Sequence, residues 1–213
     1  MNQMILGALI GYLMGNFMTA FFLGKCFKGI DVRQEGTKNV GASNAVVTMG
    51  WKYGVATWAL DILKTTAAVL IAQKLFPGQL DIHVIAGFCS ILGHMYPIIL
   101  GFKGGKGASS VFGMMLGLNW KVAIIMAITL TIITLVTDYI ALGTISMFTI
   151  VMIYFIGWNY GISSIIISAG FLALVIYKHK GNISRIIKGE ELGLRATKKI
   201  NKERKKEKEK NRN

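Results

Sequence analysis

Residues 93–110, GHMYPIILGFKGGKGASS, set one histidine and two lysines among glycines where an apolar stretch ends. Glycine lets a backbone turn tightly and bring its N–H groups close to a ligand, and lysine adds positive charge at the same place. Together they make a candidate anion or phosphate site of His94, Lys103, Gly104, Gly105, Lys106 and Gly107. The string is not a nucleotide-binding P-loop, because Gly107 rather than Ser or Thr follows Lys106. A flexible basic turn would have the same composition. Its position at a membrane boundary, beside an embedded histidine, favours a functional reading.

Two further polar stretches carry groups of the same kind. Residues 25–50 crowd Gly36, Thr37, Lys38, Asn39, Gly41, Ser43 and Asn44 into a segment too long and polar for a simple turn, and such loops commonly carry function. Residues 178–194, KHKGNISRIIKGEELGL, place His179, Asn182 and Arg185 close together. Asp61 and Lys64, at i and i+3, would share a helix face and could pair, either as a structural ion pair or as part of a site. Asp138 stands alone at a turn, where a carboxylate is more often a solvated cap than a catalyst.

The elements that must position these groups are membrane helices. The 213-residue chain is 53% hydrophobic, with a mean hydropathy of +0.52, yet its formal net charge is +14. A soluble domain of this size could not hide so much apolar surface. Apolar segments at residues 4–24, 51–76, 82–100, 108–118, 119–137, 139–158 and 161–177 predict an all-α integral membrane protein, a bundle of about seven transmembrane helices with functional cytoplasmic loops. Residues 108–118 are short for a full crossing and read as a half-helix whose N-terminus points at the glycine loop. Gly7, Gly11 and Gly15 form a small-residue row suited to close helix contact, and Asn16 is deep enough to need a partner.

Charge orients the bundle. Most Lys and Arg fall in residues 25–52 and 103–106 and beyond residue 178, which share the cytoplasmic side if the N-terminus is outside. From residue 178 onward there are fourteen Lys or Arg and five Glu. Residues 1–194 are therefore read as a membrane-embedded domain, and 195–213 as a basic, disordered cytoplasmic tail attracted to anionic headgroups. No cleavable signal is evident, since no basic residue precedes the first apolar run. Cys26 and Cys89 lack metal-ligand spacing and read as ordinary thiols. The sequon Asn182-Ile183-Ser184 falls on the cytoplasmic side, which argues against glycosylation.

A recessed site of glycine loops, lysines, hydroxyls, amides and a histidine suits a soluble phosphate-bearing substrate meeting a lipid-borne one. None of His83, His94 and His179 has an Asp five residues on, so the His-x4-Asp acyltransferase pattern is missing, and no serine triad is visible. Acyl transfer here would need an already activated donor that a substrate hydroxyl attacks directly.

The chain resembles the bacterial acyl-phosphate-dependent glycerol-3-phosphate acyltransferases over nearly everything before the basic tail. The likeness is most specific in GHMYPIILGFKGGKG, and extends to GTKNVGASN (36–44), to Asp61 with Lys64, and to HKGNISRIIKGEE (179–191). It implies a seven-helix inner-membrane enzyme, N-terminus outside and C-terminus cytoplasmic. The enzyme would pass a fatty acyl group from acyl phosphate to the 1-hydroxyl of glycerol 3-phosphate, giving lysophosphatidate and phosphate. No cofactor, metal or nucleic-acid partner is expected, and membrane lipids are expected neighbours. By the resemblance Thr37, Lys106, His179 and Asn182 would be catalytic, holding substrate phosphate or the transition state. Asn39, Gly41, Asn44, Lys64, His94, Lys103, Gly104, Gly105 and Gly107 would bind substrate.

The chain also departs from the family pattern. Thr37 replaces Ser, Lys38 replaces Gly, Val47 stands where an Arg is usual, and Thr65 replaces Gly. Residues 15–18 read GNFM where Gly-Ser-Ile-Pro is usual, and Thr137, Asp138 and Ala141 stand for Ser, Arg and Ser. The loss of an Arg and gain of Asp138 keep two other readings open. One is a divergent relative with an altered acceptor. The other is a noncatalytic lipid-binding or transport protein.

Overall fold

A computed structural model describes residues 3–158 and 160–196. The expected basic tail, apart from its first two residues, lies outside the described residues. Within them every regular element is helical. In chain order these are α1 (Gln3–Gly15), α2 (Thr19–Lys28), α3 (Ala42–Met49), α4 (Trp51–Leu75), α5 (Leu80–Met95), a 3-10 turn (Ile98–Leu100), α6 (Ala108–Leu118), α7 (Trp120–Thr137), α8 (Ile140–Gly157), α9 (Ile162–Lys178) and α10 (Lys180–Ile187).

Five stretches are long and apolar enough to cross a membrane: Gln3–Lys28, Trp51–Leu75, Leu80–Leu100, Trp120–Thr137 and Ile140–Gly157. The pair α9 and α10, bent by 54°, makes a sixth when taken as one span. The remaining expected span, α6, has only 11 residues. At 1.5 Å per residue it reaches about half of a ~30 Å hydrocarbon core. It is held inside the bundle against α4, where Thr66 Oγ1 donates to the Gly113 carbonyl at 2.9 Å and Gln73 Nε2 to the Gly117 carbonyl at 3.1 Å. The chain is thus a multi-pass integral membrane protein whose seven apolar segments are not all full crossings.

The first span is not the single helix that its hydropathy predicts. It breaks between α1 and α2 at Asn16, Phe17 and Met18, where the freed polar groups find long-range partners. Asn16 Oδ1 accepts the Ile98 N–H at 2.7 Å, and the Phe17 carbonyl accepts from Lys64 Nζ at 2.6 Å. Irregular backbone at membrane depth survives only where protein groups satisfy it. N-terminal to the break, Gly7, Gly11 and Gly15 lie against Ile82, Ala86 and Ser90 of α5, and a Cβ at Gly11 or Gly15 would overlap the facing backbone. The glycine row therefore packs two backbones together, as its spacing predicts.

Two apolar clusters hold the rest. The larger joins α4 to α9 through side chains such as Phe88, Ile91, Met95, Met114, Phe148 and Phe155. The smaller packs Val32 and Val40, from the loop between α2 and α3, against Met18, Ala20, Ala45 and Leu100. Since Leu100 immediately precedes the glycine loop, that contact brings the two polar loops to the same end of the bundle.

Candidate active site

The site grows from the end of α5. Pro97 cannot continue the helix, and the chain turns back on itself through Gly101 and Phe102, both at positive φ, before Gly107 at φ 87° starts α6. Gly104 and Gly105 are needed for a different reason from the one their sequence suggests. Neither has positive φ, and their N–H groups are already donated, to the Met95 carbonyl at 3.2 Å and the His94 carbonyl at 2.9 Å. A side chain at Gly105 would occupy the His94 ring, and one at Gly104 the His94 carbonyl. The doublet lets the loop lie flat on the end of α5, so that these two N–H groups fix the loop.

Beneath the loop is a buried charge cluster. Lys64 Nζ lies 2.8 Å from Asp61 Oδ1, 3.0 Å from His94 Nδ1 and 2.6 Å from the Phe17 carbonyl. An ammonium has three protons, and three acceptors take them, leaving none for a ligand. Asp61 Oδ1 also accepts the Thr19 hydroxyl at 2.9 Å. Lys64 and His94, expected among the substrate-binding residues, lie with Asp61 in the floor on which the loop rests. Next to Asp61, Thr65 takes the place of the family glycine and is absorbed by a 3.0 Å hydrogen bond from Ser90.

Above the loop, α9 and α10 meet Lys106. Lys106 Nζ donates to Asn182 Oδ1, Asn182 Nδ2 donates to Glu191 Oε1 at 2.5 Å, and Arg185 Nε reaches Glu191 Oε2 at 2.6 Å. His179 is buried, and its Nδ1 lies 2.8 Å from the Val175 carbonyl. A carbonyl can only accept, so Nδ1 carries the proton, and Nε2 is the acceptor in the neutral ring. Burial among these groups pushes the Lys106 ammonium below the ordinary lysine range, although the Glu191 carboxylate partly opposes the shift. Three of the four residues expected to be catalytic, Lys106, His179 and Asn182, thus come together.

The fourth, Thr37, sits exposed on the loop between α2 and α3, with its N–H given to Asn44 Oδ1 at 2.8 Å. Asn44 is fully buried, and its Nδ2 also donates to the carbonyls of Val32 and Glu35, so it ties the loop into shape. Asn39 is half-buried beside Gly41, which caps the N-terminus of α3. Lys103 is exposed at the outer turn of the glycine loop. None of these four residues joins the hydrogen bonds around Lys106; they occupy the same end of the bundle through the contact of their loops at Leu100.

Sequence reasoning did not single out Glu191, which orders Asn182 and Arg185, or Lys178, which donates to the Met95 carbonyl at 3.2 Å over the Tyr96 ring. Only the resemblance of the closing segment signalled Glu191, and nothing about Lys178 distinguishes it from the other lysines there. Asp138 is a cap, as its position suggested. It ends α7 at φ 70° and accepts the Arg195 N–H at 3.0 Å, while its carbonyl accepts the Leu194 N–H at 2.9 Å. Its charge is therefore engaged with the chain's own C-terminal segment. Among the described residues no cluster of three or more His, Cys, Asp or Glu is arranged to hold a metal ion.

Residues 5–189 match the family model described as glycerol-3-phosphate acyltransferase. The chain belongs to this family. It is 38% identical over 200 residues to a protein of Oceanobacillus iheyensis named glycerol-3-phosphate acyltransferase 1, spanning 89% of this chain and 94% of that one. A glycerol-3-phosphate acyltransferase of Aquifex aeolicus is 34% identical over 183 residues, 86% and 95% of the two chains. Among solved structures, the chain superposes on PlsY (YgiH), an integral membrane glycerol 3-phosphate acyltransferase, in its glycerol 3-phosphate form. The TM-score is 0.82 at 33% identity, over 90% of this chain and 95% of that one. The lysophosphatidic acid form of the same enzyme matches at 0.79 and 32%.

Proposed function

We propose that this chain is a membrane acyltransferase that moves a fatty acyl group from acyl phosphate to the 1-hydroxyl of glycerol 3-phosphate. The observation that carries the reading is the convergence of Lys106, Asn182 and His179 from two distant segments onto one end of the bundle, in a chain of this family. In the reaction the 1-hydroxyl oxygen bonds to the acyl carbon, and the bond from that carbon to the phosphate oxygen breaks. Lysophosphatidate and inorganic phosphate leave, with the hydroxyl proton going to the departing phosphate. Acyl phosphate is a mixed anhydride, so no protein nucleophile is needed, and catalysis reduces to positioning and charge stabilisation.

Lys106 neutralises phosphate charge, and Asn182 can turn its amide to a substrate oxygen. The free Nε2 of His179 can accept the attacking hydroxyl's hydrogen bond. Thr37 and Asn39 lie on the neighbouring loop and Lys103 on the outer turn of the glycine loop, where an anionic headgroup would bridge the two sides. Gly41, Asn44, Lys64, His94, Gly104, Gly105 and Gly107 shape the pocket. The distribution of Lys and Arg supports placing this end at the cytoplasmic face of a bacterial inner membrane, with the N-terminus outside and the C-terminus cytoplasmic.

The test is turnover. Purified protein given acyl phosphate and glycerol 3-phosphate should release lysophosphatidate and phosphate in equal amounts. No lysophosphatidate above the level of a Lys106→Ala variant would sink the reading.

A further inference from the structure

Helix α10 has two faces with different duties. Asn182 and Arg185 point to the Lys106 site. Lys180, Ile183, Ser184, Ile187 and Lys188 fall on the other face at i, i+3, i+4, i+7 and i+8. Because α9 and α10 meet at 54°, that second face and the Ile176–Tyr177 turn flank an open groove of about 370 Å³ at the surface of the bundle.

The walls are those of a lipid site. Ile176, Tyr177, Ile183 and Ile187 supply apolar surface, and Ile187 is 80% exposed although it is a large aliphatic side chain. Lys180 and Lys188 stand on the groove wall roughly two helical turns apart, with Lys180 Nζ 4.4 Å from the centre of the Tyr177 ring. Ser184 adds a hydroxyl between them. An amphipathic helix with basic residues flanking an apolar face settles at the level of lipid headgroups. Lysine stems lie along acyl chains there while the ammonium reaches phosphate. No carboxylate lines the groove. A zwitterionic headgroup carries its own ammonium beside its phosphate and brings no net charge to the two lysines, whereas an anionic phospholipid brings a net negative charge to them.

We infer that the elbow between α9 and α10 is a binding site for an anionic phospholipid of the surrounding bilayer, with an acyl chain along Ile176, Ile183 and Ile187 and its phosphate between Lys180 and Lys188. The site is separate from the Lys106 cluster and does not depend on which reaction that cluster performs. It is tested with the full-length chain in zwitterionic nanodiscs containing a minor fraction of phosphatidylglycerol, by native mass spectrometry of the lipid that stays bound. The retained ratio of phosphatidylglycerol to phosphatidylcholine should fall about 30-fold in Lys180→Gln/Lys188→Gln, the combined loss of two headgroup-level charges. It should be unchanged in Lys205→Gln/Lys206→Gln, which removes the same charge from residues 197–213. A fall in the second variant alone, an equal fall in both, or no preference in the unaltered protein would overturn the inference. Should the first variant fail to fold, photoreactive phosphatidylglycerol on the unaltered chain decides: labelling within residues 176–188 supports the site, and labelling elsewhere overturns it.

Discussion

Lys106 is half-buried and its amine is bonded to Asn182; in the proposed reaction it would also meet the substrate phosphate. A hydrogen bond to a charged group is worth about 1.5–3 kcal/mol, so Lys106→Ala should lower kcat/KM for glycerol 3-phosphate by roughly 10–200-fold. Lys106→Arg should recover part of that loss. The sign of the pH dependence follows from burial. The folded protein disfavours the ammonium, so Lys106 loses its proton at a lower pH than an ordinary lysine. The KM for glycerol 3-phosphate should therefore rise on the alkaline side at a lower pH than an ordinary lysine would give, and Lys106→Arg, which keeps its charge, should flatten that limb. A steady-state pH profile of both proteins checks it. At Gly105 the constraint is steric. Gly105→Ala would press its methyl group into the His94 ring, lift the loop and reduce turnover far more than one methyl ordinarily would.

At the scale of elements, the site depends on segments that are not themselves reactive. Glu191 holds Asn182 and Arg185, and the strand of chain that follows it is pinned by Asp138, which takes the Arg195 N–H, while Arg195 Nη2 reaches the Leu135 carbonyl at 3.0 Å. Asp138→Ala should release this strap and raise KM more than it lowers kcat, because Asn182 loses its ordering while Lys106 and His179 stay in place. A change confined to kcat would contradict this. Beneath the loop, Asp61 and Lys64 are almost completely buried. Breaking a buried pair leaves an unmatched charge and costs about 3–5 kcal/mol, whereas replacing both members with apolar residues is often tolerated. Asp61→Ala should accordingly lower the melting temperature in detergent more than Asp61→Leu/Lys64→Met. Replacing Lys64 would also leave the Phe17 carbonyl and His94 without their donor, so the double variant should fold yet lose activity.

At the scale of the molecule, the bundle brings the polar loops to one end by packing glycine-lined helices face to face. Gly11→Leu would force α1 away from the Ala86 backbone and should destabilise the whole protein, as a lower melting temperature would report. The proposed orientation gives a second measurement. Cys26 is exposed near the end of α2, beside the loop that carries Thr37. A membrane-impermeant maleimide should label it in inverted vesicles and not in right-side-out ones. The reverse pattern would turn the bundle over and separate the site from cytoplasmic substrates.

Much of this was legible from sequence because it depends on local composition. Apolar segments of membrane length, the four-residue glycine spacing, the GGKG string and the asymmetric lysines each carry their physics within a short window, and they were enough to give the fold class and the end of the bundle where the polar groups meet. What sequence could not supply was partnership between distant positions. It could not show that the first span breaks so that Phe17 can face Lys64, that the half-helix α6 is held against α4 by Thr66 and Gln73, or that the Gly104 and Gly105 N–H groups are spent on α5 carbonyls. Nor could it show that Asp138 holds the chain's own terminal segment. A donor has a fixed number of protons and a buried charge must have a neighbour, but which atoms take them is decided only when the helices are packed.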